Sequence, residues 1–174
     1  PNRLLSIGYA GGLVSKLEVS DLIVAEQIMD VESSAEFVPD QKWLQSALNV
    51  PARENYKIIS GRLVTADKVI HSPQDKKEFG ERFSAEAVEM ETSAIAKVAT
   101  DKNLLFLSVR AISDSVEQEI LDSSSFLGSD GEISKLKAGW YVLTHPGSIA
   151  SALSLRSQTQ RATRTMTEFV FHLL

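Results

Sequence analysis

Two carboxylates, Glu89 and Glu91, flank Met90 in the run Ala87-Val88-Glu89-Met90-Glu91-Thr92-Ser93-Ala94. At this strand-to-helix junction the two acids are expected to point in different directions, so that one of them can face a pocket. There it would accept hydrogen bonds from a pair of hydroxyls, with charge-assisted geometry that a neutral side chain does not match. A plainer reading stands beside this one: acids gather at helix N-termini because the macrodipole favours them, by roughly 0.3–1 kcal/mol each. A third acid, Asp114, ends the segment Val109-Arg110-Ala111-Ile112-Ser113-Asp114, just beyond the apolar run Leu104-Leu105-Phe106-Leu107. An apolar site penalises the charged form of a carboxyl, and an acid that keeps its proton near neutral pH can protonate a leaving group. Ser113 would orient it. The alternative is that Ser113-Asp114 only begins a turn. Arg110 alternates with Ile112 and Asp114 along the same strand, where it can pair with a carboxylate. His71, His145 and His172 are scattered without metal-ligand spacing, and no metal site is expected.

These residues need elements to hold them. Arg3 to Ile7 reads as a short buried strand that runs into Gly8-Tyr9-Ala10-Gly11-Gly12-Leu13, a glycine-rich loop whose adjacent glycines permit positive φ and close backbone approach. Asp21 to Glu26 reads as a second strand, and Pro39 to Asn49 as a helix with Trp43, Leu44, Ala47 and Leu48 on one side. Tyr56 to Thr65 supplies one or two strands around Gly61. Ser72-Pro73 opens a polar helix, since Ser caps and Pro is tolerated at the first helical position. Ala87 to Glu89 is a short strand, Glu91 to Lys102 a helix, and Leu104 to Ser108 a strand covered on both faces. From Ser115 to Glu132 the composition turns acidic and polar, with a turn at Gly131, and a loop is expected. Pro146 to Leu174 carries apolar residues at helical spacing, interspersed with Arg156, Arg161 and Arg164, and reads as a terminal helix broken at most once. Alternating strands and helices imply an α/β sheet.

The bulk composition narrows the partners. A chain of 174 residues with 43% apolar content encloses one sizeable core, so residues 1–174 are expected to form a single domain. The net charge of −5 offers no footprint for nucleic acid, and no apolar run approaches the roughly 20 residues that cross a bilayer. No cysteine is present, which excludes disulfides and thiolate metal sites and fits a cytoplasmic protein. The chain opens on Pro1 rather than Met, and the expectation is that it begins inside a larger gene product.

The Val-Glu-Met-Glu run, the Val-Arg-Ala-Ile-Ser-Asp segment and the Ala-Gly-Gly-Leu end of the glycine-rich stretch together resemble the purine nucleoside phosphorylase family that includes methylthioadenosine/S-adenosylhomocysteine nucleosidase. The resemblance implies a three-layer α/β/α phosphorylase-type fold with a mixed, partly barrel-like central sheet. It further implies cleavage of the N-glycosidic bond of an adenosine-type nucleoside by water, or by phosphate as co-substrate in a phosphorylase. Carried over residue by residue, Glu91 binds the 2′ and 3′ hydroxyls, Met90 lines the sugar pocket and Glu89 sits near the junction of base and sugar. Asp114, supported by Ser113, is the acid that protonates or hydrogen-bonds purine N7.

Tyr9, Ala10 and Gly11 lie against base and sugar. Tyr9 replaces the family's usual small hydroxyl residue, which weakens the case for phosphate. Val69 and Ile70 cover the purine, with Val69 standing where an aromatic is usual. These roles require Glu91 and Asp114 to converge on one cavity. Family members need no metal or organic cofactor and are dimers or trimers, so a homodimer or homotrimer is expected. The family's opening strand and loop, with the glutamate that activates water or part of the phosphate site, would precede Pro1. A catalytically silent nucleoside-binding protein is the alternative from another class.

Overall fold

The computed structural model describes residues 2–53, 55–120 and 147–174, with side chains in the last stretch from Ser157 onward. In chain order the elements are β1 (Arg3–Gly12), β2 (Leu22–Asp30), β3 (Glu36–Phe37), α1 (Gln41–Leu48), β4 (Ile58–Thr65), α2 (Pro73–Phe83), β5 (Ala87–Glu89), α3 (Thr92–Asp101), β6 (Leu105–Asp114) and α4 (Gly147–Leu173). The strands form one mixed sheet in the order β3-β2-β4-β5-β1-β6, and a further pairing of β2 with β6 closes five of them into a barrel. The first half of β2 pairs antiparallel with β6 (Leu22 to Ala111, Val24 to Val109), while its second half pairs with β3. β1 lies parallel to β6 and antiparallel to β5. The mixed, barrel-like α/β sheet expected from the sequence is what forms.

Side-chain alternation along these strands divides the apolar residues among three clusters. The inner faces contribute Ala10, Ile23, Ala25, Leu63, Ala87 and Ile112, packed with Ala96 and Ala99 of α3. Residues of opposite parity, Leu22, Val24, Leu107, Val109 and Ala111, pack outward against Leu44 and Ala47 of α1 and Ala162 and Phe169 of α4. Val64 and Val88, with Leu13 and Ala85, form a third cluster joined by Phe79 and Phe83 of α2.

The helix starts follow local chemistry. Asp40 caps α1 by accepting from the Trp43 amide at 2.8 Å, and Ser72 caps α2 by accepting from the Asp75 amide at 3.0 Å, with Pro73 in the first turn. α2 ends on Ser84 in the left-handed region, φ 49°, a short polar residue that tolerates it.

One local expectation changes: β1 continues through Gly12, so Gly8 to Gly12 is strand and not loop. β6 runs to Asp114, as the alternation of Arg110, Ile112 and Asp114 along it requires, its later residues finding partners in β1 and β2. The terminal helix is continuous over Gly147–Leu173. Of the acidic segment expected to be a loop, residues 115–120 lie outside helix and strand, and the remainder, with its Gly131 turn, lies outside the described residues. No described helix is long and apolar enough to cross a membrane.

Candidate active site

Strand β1 lies between the two motif-bearing strands: Gly11 is in register with Val88 of β5 on one side and with Asp114 of β6 on the other. A Cβ on Gly11 would stand 3.0 Å from Oδ2 of Asp114. Only glycine leaves that carboxylate its place, so the residue serves close approach within a strand.

Asp114 is buried, and both of its oxygens accept hydrogen bonds: Oδ1 from the Ser113 hydroxyl at 2.7 Å, and Oδ2 from the Lys76 ammonium at 2.6 Å. The expectation of an apolar surrounding that favours a neutral Asp114 therefore needs correction. The polypeptide places a cation there, from α2, a helix distant in sequence. Lys76 is wholly buried, and its ammonium also donates to the carbonyls of Ser115 at 3.0 Å and Gln118 at 2.8 Å. These three acceptors match the three protons of an ammonium. A buried charge is tolerated when paired and hydrogen-bonded in this way.

The two glutamates part company because β5 ends at Glu89 and Glu91 already stands at the N-cap of α3; continued strand alternation would have kept them on one face. Glu89 is buried and accepts from the Thr65 hydroxyl at 2.6 Å, the Glu91 amide at 3.0 Å, the Thr92 amide at 2.9 Å and Arg110 at 3.0 Å. Burial alone would push this carboxyl up, but the hydrogen bonds from Thr65 and Thr92 and the charge of Arg110 outweigh it and hold it below the ordinary glutamate value. The same Arg110 nitrogen donates to Ser6 at 3.0 Å and Thr92 at 2.7 Å, and a Cβ on Gly8 would meet the guanidinium at 2.6 Å. Arg110 thus pairs with a carboxylate. Glu91, by contrast, is exposed at the N-cap position of α3 and makes no side-chain capping bond. Met90 beside it is 46% exposed, unusual for so apolar a side chain, and both are open to a ligand.

The other expected site residues divide between two places. Ala10 is buried next to the acid, its carbonyl accepting from Ser113 at 3.4 Å. Tyr9 lies on the opposite face of β1, and its hydroxyl shares a hydrogen bond with Thr163 of α4 at 2.5 Å. Val69 and Ile70 line a cavity of about 920 Å³ together with Ala66, Asp67, Phe79 and Phe83. Neither Glu91 nor Asp114 is among its lining residues, so this cavity is not one on which the two acids converge, as the sequence reading required. α2 borders both regions, giving Phe79 to the cavity and Lys76 to Asp114.

Among the described residues no cluster of His, Asp or Glu is arranged to hold a metal. His71 Nδ1 lies 3.2 Å from the Ile120 carbonyl, His172 is exposed on α4, and His145 lies outside the described residues. Lys76 is the residue that reading the sequence missed. The signal was present: Lys76, Phe79, Gly80 and Phe83 fall on one helical stripe, so a lysine occupied an inward-facing position.

The family model of the phosphorylase superfamily matches residues 1–138. The chain is 31% identical over 130 residues to 5′-methylthioadenosine/S-adenosylhomocysteine nucleosidase of Staphylococcus haemolyticus, a match covering 66% of this chain and 57% of that protein. The chain thus spans somewhat over half the length of that relative. Among solved structures, 5′-methylthioadenosine/S-adenosylhomocysteine nucleosidase of Helicobacter pylori, crystallised with butyl-thio-DADMe-Immucillin-A, superposes with a TM-score of 0.70 at 21% identity, covering 99% of this chain and 67% of its own. Futalosine hydrolase of the same organism gives a TM-score of 0.70 at 20% identity, with 99% and 67% covered. The closed mixed sheet, the order of the motif strands within it and the match over most of the sequence agree, and the chain belongs to the phosphorylase superfamily.

Proposed function

We propose that the protein, with residues 1–174 as one phosphorylase-like domain, cleaves the N-glycosidic bond of an adenosine-type purine nucleoside. The observation that carries this reading is the buried Asp114, held by Ser113 beside Gly11, with Glu91 open to solvent after the neighbouring strand β5. Cleavage needs two things: a grip on the sugar while C1′ gains positive charge, and a proton or strong hydrogen bond for the departing base. Glu91 provides the first by accepting from the 2′ and 3′ hydroxyls, with Met90 against the sugar. Asp114 provides the second at purine N7, oriented by Ser113. The backbone of Ala10 and Gly11 lies against the ligand, and Val69 and Ile70 cover the base. Glu89 acts indirectly by fixing the turn from which Glu91 projects.

Water is the favoured nucleophile. The Tyr9 hydroxyl is occupied by Thr163, which withdraws it from any role in holding phosphate. No metal or organic cofactor enters this reaction. The nucleosidases and the futalosine hydrolase among the similar proteins act on nucleosides that differ away from the bond cleaved, so the 5′ substituent is left to experiment. A cytoplasmic homodimer or homotrimer, as the family resemblance implies, completes the reading.

The test is release of free adenine from 5′-methylthioadenosine, S-adenosylhomocysteine and adenosine, with and without phosphate. Release independent of phosphate is expected, with Asp114→Asn lowering kcat by about 10²–10⁴-fold and Glu91→Ala lowering kcat/KM. Turnover only with phosphate would make the protein a phosphorylase. Calorimetric binding of adenine without turnover would make it a silent binding protein.

A further inference from the structure

We propose that Lys76 acts through Asp114 as a positioning residue and as the store of the proton that leaves with the purine. The inference rests on the reading of Asp114 given above and extends it to a residue of α2. Three observations carry it. First, Lys76 is fully buried, and its ammonium spends one proton on Oδ2 of Asp114 at 2.6 Å while the carbonyls of Ser115 and Gln118 hold the other two. Secondly, with the Ser113 hydroxyl donating to Oδ1 and the Lys76 ammonium to Oδ2, both oxygens of Asp114 act as acceptors, and the proton nearest to hand is on Lys76. A bare carboxylate facing a departing purine anion would oppose cleavage; the proton must come from a neighbour. Thirdly, the oxygen that meets Lys76 is the one nearest Gly11, the β1 residue in register with Asp114.

The step balances as follows. As the C1′–N9 bond breaks and its electron pair passes to the purine, the Lys76 ammonium gives a proton to Oδ2, which passes it on to N7. Asp114 ends as it began, Lys76 becomes an amine, and the base leaves neutral. Water adds its oxygen to C1′ and releases a proton, which returns to the Lys76 amine by the same route through Oδ2 once the base has left. The sum is nucleoside plus water giving free base plus sugar. The carbonyls of Ser115 and Gln118 keep the amine aimed at Oδ2 throughout, so the residues just after β6 are part of the device.

The test uses leaving groups on the full chain. A purine needs its proton, whereas 4-nitrophenolate departs from a 4-nitrophenyl riboside carrying its own charge. Lys76→Met and, as a milder replacement that keeps a hydrogen-bonding head, Lys76→Gln are compared with the parent for both substrates, with urea unfolding to establish that each variant is folded. Lowering of kcat for 5′-methylthioadenosine by about 10²–10⁴-fold, with KM and 4-nitrophenolate release unchanged, is the expected result. If both substrates slow together, or neither slows, Lys76 is structural only and the proposal is overturned. If the parent chain releases neither leaving group, the cleavage reading itself fails and this one falls with it.

Discussion

Glu89 and Arg110 show how a charged pair becomes part of the scaffold. Each is buried, they meet at 3.0 Å, and the carboxylate also terminates the amides of Glu91 and Thr92. Removing one partner would strand the other charge in the interior, at a cost of about 3–5 kcal/mol. Because the folded-state value of Glu89 lies below the unfolded one, its stabilisation is complete above the ordinary glutamate range and is lost as pH falls through the folded value. Glu89→Gln should therefore lower the urea midpoint most at neutral pH, with the gap to the parent closing on acidification below about pH 4. A gap constant across that range would show that the charge of Glu89 contributes nothing. Glu91 has no such network, and its substitution should leave the unfolding midpoint near that of the parent while affecting turnover. Two acids separated by one residue thus divide into a buried, networked member and an exposed one.

The helix α2 is the element on which the site depends most, since its stripe carries Phe79 and Phe83 into the third cluster and Lys76 to Asp114. Its start is secured by Ser72, whose side chain accepts from the Asp75 amide and donates to the Asp75 carboxylate. Ser72→Ala should cost about 1 kcal/mol of stability. Lys76 sits only one turn further on, so the same variant should also lower kcat more than KM if α2 positions the ammonium. A loss of stability with kcat per folded molecule unchanged would show that the first turn and the lysine are independent. α2 was legible as a polar, Ser-capped helix because capping is local chemistry. The inward position of Lys76 was legible in the stripe, but its partners were not, because nothing within the helix supplies the three acceptors that make burial of an ammonium tolerable. They come from β6 and the residues that follow it.

At the scale of the whole molecule, closure of the sheet and docking of α4 are the long-range events. Phe169 and Ala162 of α4 are fully buried against the outer faces of β2 and β6, the two strands that seal the barrel. Phe169→Ala should destabilise the protein by about 3–5 kcal/mol in urea unfolding, with loss of helical ellipticity if α4 detaches. A variant as stable as the parent would mean that the barrel stands without the helix. Near-neighbour patterns were enough to determine the α/β alternation, the cap at Ser72 and the short strand Ala87–Glu89. Each depends on spacing and local hydrogen bonding, which a linear chain displays directly. The pairing of β2 with β6, the extension of β1 through its glycines, the union of Tyr9 with Thr163 and the arrival of Lys76 at Asp114 were decided only by tertiary structure. Each joins residues far apart in the chain, through hydrogen bonds and charges whose partners no local pattern specifies.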